Sequence, residues 1–215
     1  NTGGAITVKH LSNGLNISNN TIAKGDLTIE NCTATLATPI NIYNNVLDSG
    51  SVYIDNTPVF NLYNNTIVGK RTFSAFIGDG ILNINSTNGA YKVYNNIIIN
   101  KERGLLINIT DPGFTNNVVP GLFDNNVLYS AGDTLVYIHL SNAMLLKSFA
   151  QWQGIYHQDL NSVNVQPYFV GAHDLHINND SRINNIGSPI LSSTSDMDGI
   201  ARNTTHPDAG AYEFD

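Results

Sequence analysis

An Asn-Asn doublet begins at residues 19, 44, 64, 95 and 125, and the intervals of 25, 20, 31 and 30 residues constrain this chain more than any other feature. Two residues before each doublet stand Ile17, Ile42, Leu62, Val93 and Phe123. Four before stand Leu15, Ile40, Phe60, Tyr91 and Gly121. Apolar residues spaced by two read as a short strand with one face inward. A strand that ends five times at the same polar corner is an internal repeat, and repeats of this length stack into solenoids.

A second register follows each corner. Gly25, Gly50, Gly80, Gly104 and Gly132 open the segments GDLTIEN, GSVYIDN, GILNINS, GLLINIT and GDTLVYI. Each unit therefore holds at least two strands, and helical periodicity is absent. One coil cannot bury its own inward side chains. Coils stacked at about 4.8 Å can, because each strand then hydrogen-bonds to its equivalents above and below. Asparagine suits the corner because it tolerates left-handed backbone angles and its amide can pair with the same residue one coil away. A β-sandwich requires no such recurrent doublet, and a leucine-rich repeat requires regular leucines. The expected fold class is all-β, a parallel β-helix.

Composition agrees. The 215 residues include 32 Asn and 23 Ile, while only 13% are charged, so polarity is carried by amides. Ten Lys and Arg against 17 Asp and Glu give a net charge of -7, which argues against a nucleic-acid partner. A single cysteine, Cys32, excludes an internal disulfide and reads as a corner or core filler. No apolar run reaches 18 residues, so membrane insertion is not expected. The six histidines show no zinc-protease spacing, and there is no glycine-rich phosphate loop.

We divide the chain into coils over 1–140 and closing coils over 141–215, within one domain. In SNAMLLKSFAQWQG, residues 141–154, Leu145, Phe149, Trp152 and then Tyr156 fall at helical spacing, predicting a short helix capped by Ser141, with Trp152 as a packing anchor. Near the end, Arg202 is placed to pair with Asp196, Asp198 or Asp208 and fasten the last crossing over the open end of the solenoid. A calcium site built from the same carboxylates is the alternative. The opening NTGGAITVKHLSNG begins within solenoid-like sequence, and we expect earlier coils and a leader to precede it.

The closing residues carry a resemblance. Trp152, Asp159 with Ser162 and Val163, Pro167 with Phe169, Asp174 with Ile177, Ser188-Pro189, Asp196 with Asp198, Gly199 and Arg202, and the final Asp208, Gly210, Ala211, Tyr212, Glu213 and Phe214 follow NN-bearing coils. Together they resemble the right-handed parallel β-helix proteins of the secreted and surface polysaccharide lyase-like (pectate lyase-like) class, of the type common in Bacteroidetes. The resemblance implies a right-handed, single-stranded helix with a C-terminal cap and a location outside the cell or on its surface. It does not fix an activity, because the class includes lyases, glycoside hydrolases and surface proteins with no assigned reaction.

Three sets of residues are candidates for function. Lys70, Arg71, Lys101 and Arg103 form the only basic cluster, and Lys70 and Lys101 each lie six residues after the start of a doublet. They read as an anion-binding face or as solvated loops. Tyr43, Tyr63 and Tyr94 each precede a doublet and would climb the solenoid as an exposed stripe, either a sugar-binding surface or a cover for the sheet. Glu30, Asp55 and Asn85 share the fifth position after their glycines, a stack compatible with hydrolysis or metal binding or with an ordinary acidic face. Three functions follow: a carbohydrate-interacting or scaffold module, a lyase cleaving uronic-acid glycans through the basic cluster with Tyr63 and Tyr94 nearby, or a structural spacer. No cofactor is required, although calcium would suit a lyase.

Overall fold

The computed structural model describes residues 2–72, 79–86, 89–111, 122–132, 134–139, 144–146 and 148–214. The chain winds as a right-handed parallel β-helix with three sheets, visited in the same order in each coil. Sheet A contains β1 (Thr2–Gly3), β4 (Thr21–Ile22), β7 (Val46–Asp48), β10 (Thr66–Gly69), β13 (Ile97–Asn100) and β16 (Val127–Ser130). Sheet B contains β2 (Ile6–Lys9), β5 (Leu27–Glu30), β8 (Val52–Asp55), β11 (Leu82–Asn85), β14 (Ile107–Thr110) and β17 (Val136–Ile138), with β18 (Met144–Leu146) added antiparallel at its edge. Sheet C contains β3 (Asn16–Ser18), β6 (Ile40–Tyr43), β9 (Val59–Tyr63), β12 (Ala90–Tyr94) and β15 (Phe123–Asp124).

The doublet is the corner between sheets C and A, and its two asparagines do different work. The first, at 19, 44, 64, 95 and 125, sits in the left-handed region with φ between +51° and +56°, where Asn is favoured over most side chains. The second forms a ladder inside the corner. The Nδ2 groups of Asn20, Asn45, Asn65 and Asn96 donate in turn to Oδ1 of Asn45, Asn65, Asn96 and Asn126 at 3.0 to 3.2 Å. Each of these acceptor oxygens also takes the backbone N–H of the residue donating to it. The series ends at Asp159, which accepts from Asn126 at 2.8 Å. Ser162 Oγ and Trp152 Nε1 donate to the same carboxyl group.

Inside the coils, aliphatic columns enclose an aromatic series. Phe60 stacks on Tyr91 with centroids 4.8 Å apart, Tyr91 meets Phe123 edge-on, and Phe123 meets Trp152 edge-on. Trp152 belongs to α1 (Phe149–Tyr156), which lies against the last coil, so the expected packing anchor is in place. The helix is shorter than the spacing predicts. Leu145 lies on β18, and the cap is Ser148, which forms a capping box with Gln151. Ser141, the expected cap, lies outside the described residues.

Sheet A is buried on both faces. Its inward residues join the main core, while Val46, Val68, Ile97, Ile99 and Val127 point outward and pack under Leu175, Ile177, Ile183, Ala209 and Ala211. The closing chain thus runs back along the side of the solenoid as a strap. The turning asparagines hold it in reverse coil order. Asn125 donates to the carbonyl of Ile186, Asn95 exchanges two hydrogen bonds with Ser188, Asn64 donates to Ser193 Oγ and Asn44 donates to the carbonyl of Ser195. Arg202 serves this lateral contact rather than a crossing over the end. It pairs with Glu213 at 3.2 Å and donates to Asn44 Oδ1 and the Gly210 carbonyl. Asp196 instead accepts backbone N–H groups from Asp198, Ile200 and Glu213.

The corner ladder and its end each give a measurable expectation. Asn96→Ala strands buried backbone groups on both sides and should cost at least about 3 kcal/mol, against roughly 1 kcal/mol for Asn41→Ala in the surface amide series of sheet C, as read by urea unfolding. Burial raises the Asp159 carboxyl from 3.8 to about 6, outweighing the hydrogen bonds that lower it. A group raised on folding contributes stability that is fully present below its unfolded value and is lost as pH rises through its folded value. Unfolding midpoints should therefore fall between about pH 4 and pH 6. Asp159→Asn should reduce that slope, leaving the part carried by Asp208, whose carboxyl burial also raises to about 6, while lowering the midpoint overall because it loses the Trp152 contact.

Candidate functional site

The outward side chains of sheet B form two columns, because residues two apart on a strand share a face and the coils stack in register. Tyr53, Asn83, Asn108 and Tyr137 make one column, and Asp55, Asn85 and Thr110 make the next, with His139 following β17. These residues and Asp79 line an open groove of about 660 Å³. From Tyr53 to Tyr137 is three coil spacings, about 14 Å.

The groove is chemically graded along this length. At one end Tyr53 donates to Asp79 at 3.0 Å and accepts from Arg71 at 3.0 Å, and burial pushes its phenol well above the usual range against the pull of Arg71. In the middle, Asn83 is held by Gly80 and keeps the floor rigid, while the exposed Asn85 donates to Asp55. At the far end the rings of Tyr137 and His139 lie 5.9 Å apart. Side-chain carboxylates, amides, a hydroxyl and two phenols thus converge, and among the described residues no Lys or Arg lines the groove. Among the described residues no group of three or more His, Cys, Asp or Glu is arranged to hold a metal ion.

The acidic stack read from the glycines lies here, since Glu30 pairs in register with Asp55 and Asp55 with Asn85. Glu30, however, is tied to Lys9 at 2.6 Å and lies outside the groove lining. Counting from glycine finds the first half of the site and misses the second, because the offset from glycine to strand grows from two residues at Leu27, Val52 and Leu82 to three at Ile107 and four at Val136. A better signal was present: VYID, LNIN, INIT and VYIH share an aliphatic-polar-Ile-polar pattern, and aligning on it brings Tyr53, Tyr137 and His139 into one array.

The basic cluster separates into different environments. Lys70 and Lys101 do fall on adjacent rungs beyond the Gly69 to Asn100 pairing, and Lys101 N–H donates to the Gly69 carbonyl. Arg71 turns toward sheet B, where it binds Ser51 Oγ, Tyr53 and, at 3.3 Å, Asp26. Arg103 is exposed. None of the four lines the groove.

The tyrosine stripe forms in register on sheet C, but it is only partly open. Tyr43 stacks on Tyr63 at 5.1 Å, and Tyr94 occupies the next rung. Tyr63 is buried because the strap crosses it and Ser192 Oγ bonds its phenol at 2.9 Å. Tyr94 is half-buried and remains accessible beside Lys92.

No helix of the described residues is long and apolar enough to cross a membrane. No protein-family model, no curated protein and no solved structure matches this chain. The three-sheet topology supports a generic parallel β-helix, and any functional assignment must come from the grooves themselves.

Separate environments predict separate mutational effects. Arg71→Ala should destabilise the protein by about 1 kcal/mol through loss of its links to Ser51 and Tyr53, whereas Lys70→Ala should remain within about 0.5 kcal/mol. Thermal unfolding of the two variants side by side makes the comparison.

Proposed function

We propose that this protein is a carbohydrate-binding β-helix, secreted or displayed at the cell surface, whose sheet B groove holds a short stretch of neutral glycan. The observation that carries the reading is the half-buried Tyr53 ring at one end of the groove with amides, a hydroxyl and carboxylates beyond it and the exposed His139 at the far end, where Tyr137 is buried. Aromatic faces accept the C–H faces of sugars, while amides and carboxylates exchange hydrogen bonds with neighbouring hydroxyls. Regular rungs suit a polymer whose units repeat along its length.

Charge favours a neutral ligand over the uronic-acid substrate of a lyase. Elimination from a uronate calls for a cation opposite the substrate carboxylate and a base near the departing proton. Asp55 and Asp79 would repel that carboxylate, and Arg71 is already bound to Asp26. Secretion or surface display draws its support from the β-helix resemblance of the coils and closing segment.

Calorimetric titration against a panel of neutral oligosaccharides is the test. At least one should bind, with Tyr53→Ala and Asn85→Ala each weakening affinity by about tenfold, or about 1.4 kcal/mol. A panel in which nothing binds below about 10 mM, which is weaker than about -3 kcal/mol, would count against the reading. So would binding that both variants leave unchanged.

A further inference from the structure

Sheet C bears a second groove of opposite character. Two adjoining cavities of about 550 Å³ and 290 Å³ share Asn61, Lys92 and Tyr94. The outer wall of one is Leu36 and Pro39, and that of the other is strap residues from Ser188 to Ser192. Among the described residues no Asp or Glu lines either cavity, and Asp124, in register with Tyr94 one rung on, is engaged by Asn161.

Its centre is an interrupted amide ladder. Asn61 Nδ2 donates to Asn41 Oδ1, and Asn41 Nδ2 donates to Asn16 Oδ1, both at 2.9 Å. All the donors point toward the earlier coils, so Asn61 Oδ1 is left facing the next rung. The residue in register there is Lys92, an exposed ammonium with no ion pair among the described residues. Tyr94 lies two residues along on the same face. An aromatic ring, an amide acceptor and a cation without an ion pair among the described residues therefore meet where the two cavities join, in a chain whose net charge is -7.

We infer that this groove is a second carbohydrate site, selective for a sugar unit bearing a carboxylate. The ring would pack against Tyr94, a hydroxyl would donate to Asn61 and the carboxylate would meet Lys92. An extended peptide is less well served, because the β9 and β12 backbones are already paired with neighbouring coils and offer no free edge for strand addition. The inference is independent of the sheet B reading: it uses different residues on another face and requires the opposite charge.

The test is titration of the folded protein with a uronic-acid trisaccharide and with its fully methyl-esterified counterpart. The acidic form should bind, more weakly as salt rises, and Lys92→Gln and Tyr94→Ala should each reduce its affinity at least about fivefold. The ester should bind wild type no better than the acid binds Lys92→Gln. Tyr53→Ala should leave acidic binding unchanged, which separates this site from the sheet B groove. Equal affinity for acid and ester overturns the inference, as does insensitivity to Lys92→Gln. Competition by an oligoglutamate peptide at equal affinity would overturn the sugar assignment. Far-ultraviolet circular dichroism of each variant verifies folding, and chemical shifts at residues of β12 report the site of binding when a variant is too unstable to titrate.

Discussion

The buried amide ladder at the corner between sheets C and A is the interaction on which the rest depends. A turn of two residues between strands leaves backbone groups inside the protein that the sheets cannot satisfy. Here Asn45, Asn65 and Asn96 satisfy them within their own coils and those adjacent. Each amide is held from both sides, so the corner fixes the vertical register of the coils. Registry in turn aligns the outward columns of sheets B and C, without which neither groove would exist.

What could be read from the residues follows from this asymmetry between corners. The Asn doublet is invariant in form because its geometry is dictated, and it disclosed the fold, the inward columns and the tyrosine register. The glycine segments are joined by connections of variable length, so their offset drifts and Tyr137 and His139 escaped notice. The strap was least legible. Ser193 and Ser195 carry no pattern of their own, Ser188 is marked only by the Pro189 that follows it, and their partners Asn95, Asn64 and Asn44 lie more than 90 residues away. The covering of Tyr63 by Ser192 is the same kind of long-range contact, and it turns an expected open stripe into a groove wall.

The two grooves show how one scaffold separates chemistries. On sheet B, Asp55 and Asp79 make the lining acidic, while on sheet C the rung that would extend an amide ladder holds Lys92 instead. Neither change disturbs the core, because alternation along a strand leaves the outward position free once the inward one is filled. Inward aliphatics determine whether the chain coils; outward residues determine what the coil meets.

The strap also works as a ruler. Its anchors at Ile186, Ser188, Ser193 and Ser195 meet four successive corners, from Asn125 back to Asn44. Inserting or deleting a whole coil between those corners would leave every strand paired yet put the anchors out of step by one rung. Solenoids commonly change length by gaining or losing repeats, but this one has a counted segment. A whole coil could be added without unseating an anchor only before Asn44, while single coils beside the strap remain free to lengthen at the corners it does not touch.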